Sequence, residues 1–189
     1  MKPTILQSCL LAFVATGANA QSPSSWSYHV NSQGARSIEL SGSISTPSGS
    51  KSAQIKFVRS TGPKVYWSFD LVIESVSTIK GFTFDDFEGP DSKASGELLI
   101  LETIGTPKPT RFSFCPAGGY VSQPKDGFNF SALRTGPSNP LLNLVRSASQ
   151  GKGQLSVRLR DFKNPGVFMQ ATYDLAGSEQ AFTQFLASK

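Results

Sequence analysis

Short runs in which apolar and polar residues alternate dominate this chain, and they predict a sheet with one wet face. After a Ser/Pro-rich stretch, residues 26–31 read as the first strand. Ile38, Leu40 and Ile44 then alternate with Glu39, Ser41 and Ser43, the two-residue period of a half-buried strand. Turn-forming residues interrupt the pattern over 46–51, and Ala53, Ile55 and Phe57 resume it before a second break at 60–63. The run over 65–73 is richest in β-formers. It is expected to be the central strand, with Val65, Trp67, Phe69 and Leu71 sharing its inward face. Further strands are predicted over 98–101, 111–114, 154–160 and 167–173.

Two segments change period. Pro140 suits a first helical position, Ser138 or Asn139 can cap it, and Leu141, Leu144 and Val145 fall on one side. Ser178 opens a last short helix, with Glu179 near its positive end and Phe182, Phe185 and Leu186 as its apolar anchor. Many short strands and few helices exclude a doubly wound parallel fold, whose sheet needs helices on both faces. The expected architecture is mainly β: a single-domain antiparallel β-sandwich or distorted barrel, with one or two short helices capping an open end.

The N-terminus reads differently. Lys2, an apolar stretch from Ile5 to Val14, and Ala18, Asn19 and Ala20 as a small-x-small site predict a signal peptide over 1–20 and a β-rich domain over 21–189. The stretch is too short and too interrupted by Gln7 and Ser8 to span a bilayer, so no transmembrane segment is expected in the mature chain. Removing twenty of the 189 residues leaves 169, enough for one domain with its own core. The location expected is periplasmic or secreted.

The whole chain carries 18 Lys and Arg against 13 Asp and Glu, and loss of Lys2 lowers the formal charge from +5 to +4. That balance suits weak attraction to anionic surfaces. Without a dense basic block interleaved with aromatics, nucleic acid is not expected as a partner. Of the two cysteines, Cys9 lies in the leader, which leaves Cys115 as a buried thiol or one that pairs between molecules. The apolar core must then hold an exported domain without an internal disulfide.

Candidate chemistry is sparse. Asp85, Asp86, Glu88 and Asp91 form an acidic turn; its spacing departs from a helix-loop-helix calcium loop, and a solvated turn, a calcium site and catalytic carboxylates all stay open. His29 is the one histidine, too few for a zinc shell, so no metal or cofactor is predicted. No G-x-S-x-G elbow or G-x-G-x-x-G loop occurs, and Gly118 and Gly119 read as a tight turn. Arg158 and Arg160 should project from one strand face, near Arg146 and Lys152 in sequence, and could hold an anionic group. Phe128 and Phe130, beside Asp126, Asn129 and Gly136, are expected as an exposed contact pair.

The second half resembles the invasion-associated locus B family of exported proteins of Gram-negative bacteria. The likeness rests on the order Phe114, Cys115, Pro116, Ala117, Gly118 and Gly119, then the Leu141 to Val145 segment and the alternating strand from Gln154. It ends on Tyr173, Asp174, Leu175, Ala176, Gly177, Ser178, Glu179, Gln180, Ala181 and Phe182, ahead of Phe185 and Leu186. Cys115 stands alone where that family usually has paired cysteines. The resemblance implies an envelope-associated β-sandwich linked to host-cell interaction, without established catalytic machinery. The function expected is therefore a noncatalytic exported binding protein for a protein or an anionic surface ligand, through Arg158, Arg160, Phe128 and Phe130. The alternative is an enzyme or enzyme inhibitor with an acidic site.

Overall fold

The computed structural model describes residues 25–61, 65–84, 96–114, 119–122, 126–135 and 139–187; for 119–122, 134 and 135 the description is of backbone alone. The acidic turn at Asp85, Asp86, Glu88 and Asp91 lies outside the described residues, as do Cys115 and the leader. The strands are β1 (Ser27–Val30), β2 (Arg36–Thr46), β3 (Gly49–Arg59), β4 (Tyr66–Glu74), β5 (Leu99–Ile104), β6 (Arg111–Phe114), β7 (Gly119–Ser122), β8 (Gly127–Thr135), β9 (Gln154–Arg160) and β10 (Phe168–Asp174). A 3-10 turn (Val76–Thr78) and helices α1 (Pro140–Ala148) and α2 (Glu179–Leu186) complete the described elements.

All ten strands join one antiparallel sheet in the order β6-β5-β9-β10-β2-β3-β4-β8-β7, with β1 beside β2. The sheet curls into a nearly closed, distorted barrel. Phe114 on the edge strand β6 meets Phe130 of β8, next to the opposite edge, with ring centroids 5.2 Å apart. The fold class therefore agrees with the alternation in the sequence.

Residue parity decides the two faces. Ile38, Leu40 and Ile44 of β2 are buried inward, as are Ala53, Ile55 and Phe57 of β3 and Trp67, Phe69, Leu71 and Ile73 of β4. Val65 departs from its expected place: it precedes β4, outside the ladder, and is 39% exposed. The centre of the sheet is also not β4 but β2, which pairs with β3 along one edge and shares the other between β1 and β10. The turn between β2 and β3 is tighter than the sequence suggests. Pairing runs to Thr46 and Gly49, because the Thr46 hydroxyl donates to the Gly49 carbonyl at 2.6 Å and closes the turn over Pro47 and Ser48.

The helices add to the same core. Asn139 caps α1, its Oδ1 accepting the Leu141 N–H at 2.9 Å, while Leu141, Leu144, Val145 and Ala148 are buried. On α2, Phe182 lies against Trp26 (4.9 Å) and Phe185 against Trp67 (5.4 Å). Each such ring contributes about 1.5–3 kcal/mol on burial. Arg36 and Arg59 face each other across β2 and β3 where α2 ends. Arg59 donates to the carbonyls of Leu186 and Ala187, both at 3.2 Å, and Arg36 to those of Gln184 and Ala187. Two like charges are thus held at the negative end of a helix. Burial first, then the neighbouring Arg36 guanidinium, lowers the Arg59 pKa from its ordinary value.

Candidate functional site

β10 splays from β2. Their ladder is a single pairing, Gln170 with Ser45, whereas the β1 ladder on the same edge of β2 ends at Glu39 and Ser27. Between those two pairings the sheet opens into a cleft of about 860 Å³. Its floor is β2 from Glu39 to Ser43, and its walls are Ser25, Ser27 and His29 on one side and Thr172 to Asp174 on the other. Beside it Trp26 Nε1 donates to the Asp174 carbonyl at 3.0 Å. A second recess of about 500 Å³ continues past the pairing, lined by Ser45, Thr46, Pro47, Phe168 and Gln170. Both recesses include Thr172, so together they make a trough along β10.

Strand parity furnishes the trough with neutral hydrogen-bonding groups. Gln170 and Thr172 are exposed and alternate with buried Met169, Ala171 and Tyr173, while exposed Ser41 and Ser45 stand on β2. Phe168, at the far end, is 36% exposed, and the Arg158 guanidinium lies 5.6 Å from its ring centroid.

Beneath the cleft, Tyr173 lies against the backbone of Gly42. A Cβ at position 42 would come within 2.8 Å of Tyr173 Cε1, so only glycine leaves the ring its place. Tyr173 is 3% exposed, and its hydroxyl has no hydrogen-bond partner among the described residues. Burial raises the phenol pKa well above its ordinary value.

Charge gathers at the β1 end. Burial is the largest influence on Glu39 and pushes its pKa up, but the Lys56 ammonium at 2.9 Å, aided by His29 and Ser37, holds it below its ordinary value. Gln54 Nε2 also donates to Glu39, at 3.1 Å. With both carboxylate oxygens engaged, Glu39 is suited to anchoring the cleft wall more than to exchanging protons.

The residues singled out from sequence are not brought together as expected. Phe128 and Phe130 are 1% and 0% exposed. They cannot form a contact pair, because their parity on β8 turns both inward, where Phe128 packs on Phe84 (4.5 Å). Arg158 and Arg160 do share a face, but Arg160 is 9% exposed and only Arg158 is half-accessible. Arg158 is moreover drawn to Glu102 at 3.7 Å, which reduces its availability to an outside anion. The trough is not legible in the sequence because Gln170, Thr172 and Asp174 alternate like any wet strand face. Their value comes from lying beside β2.

Among the described residues no group of three or more His, Cys, Asp or Glu could hold a metal ion, and no helix is long and apolar enough to cross a membrane. Compared with protein-family models, curated proteins and solved structures, the chain matches none.

Proposed function

We propose that this chain is an exported, noncatalytic binding protein that holds a polar ligand in the trough between β2 and β10. The observation that carries the reading is two adjoining recesses sharing Thr172, lined by exposed hydroxyl and amide side chains where β10 parts from β2. Preformed concavity with convergent polar groups is what a binding site requires. Commitment of Glu39 to Lys56 and Gln54 favours binding over an acid-base enzyme. Export rests on the leader read at residues 1–20, and the resemblance to the invasion-associated locus B family points in the same direction.

Two measurements test this. N-terminal sequencing of protein recovered from the cell envelope should begin at Gln21; an intact leader on cytosolic protein refutes export. Amide NMR spectra taken with chemically distinct ligand pools should show shifts clustered at residues 41–45 and 168–174. Shifts confined to other surfaces refute the trough as the binding site.

A further inference from the structure

We propose that the ligand of this trough is a neutral oligosaccharide, an inference that rests on the binding reading above. A ligand is recognised by the groups that face it. Ser41, Ser45, Gln170 and Thr172 each both donate and accept hydrogen bonds without carrying charge, which matches the paired donor and acceptor character of sugar hydroxyls. The trough has the form of a chain. From Phe168 to Asp174 it spans six residue steps of β10, about 20 Å at the rise of an extended strand. Phe168 adds an apolar ring face at one end, of the kind the C–H face of a pyranose packs upon.

The Tyr173 phenol, 3% exposed, turns inward with Met169 and Ala171, so recognition rests on the outward row of β10. Anionic ligands fit less well. Among the described residues no Lys or Arg lines either recess, whereas Glu39 and Asp174 line the cleft.

The test uses the full mature chain, isotope-labelled, titrated with maltohexaose, cellohexaose and N-acetylated chitohexaose, with a hyaluronan hexasaccharide and a mixed heptapeptide pool as contrasts. At least one neutral hexaose is expected to shift amides at residues 41–45 and 168–174. Phe168→Ala is expected to weaken that binding about tenfold, as is the pair Gln170→Leu with Thr172→Val, all at exposed positions. Unchanged urea midpoints in the Phe168 and Gln170/Thr172 variants show that the fold is intact. If hyaluronan or peptide shifts the trough and no neutral hexaose does, the saccharide inference is overturned while the binding reading stands. If no probe shifts the trough, both fall.

Discussion

Removing the hydroxyl of Tyr173 should make this protein more stable, the opposite of what the substitution does where a tyrosine is hydrogen-bonded. In the unfolded chain the phenol is hydrated; folding strips that water and provides no partner among the described residues. An orphaned buried hydroxyl costs about 1–3 kcal/mol, whereas loss of a satisfied one costs about 1 kcal/mol. Tyr173→Phe leaves the ring where it is, against Gly42 and 97% buried, so the packing contribution stays nearly constant. The expected change is a gain of about 1–2 kcal/mol, or a rise in Tm of about 3–6 °C for a domain of this size. Urea denaturation and calorimetry measure it directly. The pH dependence supplies a second readout. Because burial raises the phenol pKa from its ordinary 10.0, stability from this group is complete below about pH 10 and declines as pH climbs towards the higher folded value. That alkaline decline should shrink in Tyr173→Phe. A loss of 1 kcal/mol or more, with an unchanged alkaline limb, would refute the premise that the hydroxyl is unsatisfied.

Three further outcomes follow from other parts of the fold. Asp161, 3% exposed, accepts the backbone N–H groups of Lys163 at 2.8 Å, Asn164 at 2.6 Å and Thr83. Asp161→Ala strands all three donors and should cost about 3 kcal/mol or more in urea unfolding, with Asp161→Asn milder. Gly153 has a φ of +77°, and a Cβ there would stand 2.1 Å from the Ile104 carbonyl oxygen and 2.7 Å from the Gly105 carbonyl carbon. Gly153→Ala should therefore cost more than about 3 kcal/mol, from strain and clash together, and a calorimetric loss below 1 kcal/mol would contradict that geometry. Glu39, with its pKa held below 4.5, contributes stability that is present above that value and lost as pH falls through the folded pKa. Lys56→Met should move the carboxyl titration upward by NMR; an unmoved titration denies the ion pair its role.

Much of the architecture was legible because side-chain parity in a strand and side-chain phase in a helix are local properties. The alternation of Ile38 and Leu40 with Glu39 and Ser41 specifies one inward and one outward face whatever the partner strands are. Asn139, Pro140 and the Leu141, Leu144 and Val145 side announce α1 in the same local way. Placement was not legible, because it depends on neighbours distant in the chain. The turn residues around Phe128 and Phe130 suggest exposure, yet pairing of β8 with β4 turns both rings into the barrel. Arg160 carries the charge of a surface residue and is nonetheless largely covered. By itself, then, the amino-acid order determined that this is an antiparallel β protein with two late helices, and which residues share a face in the strands it announces, among which β7 and β8 do not fall. Only the tertiary structure decided that β10 meets β2 at Ser45 and Gln170 and then diverges, while β1 pairs with the same edge from Arg36 to Glu39. Hydrophobic patterning selects a face but not a neighbour, and the trough exists only where β10, distant in the chain, parts from β2.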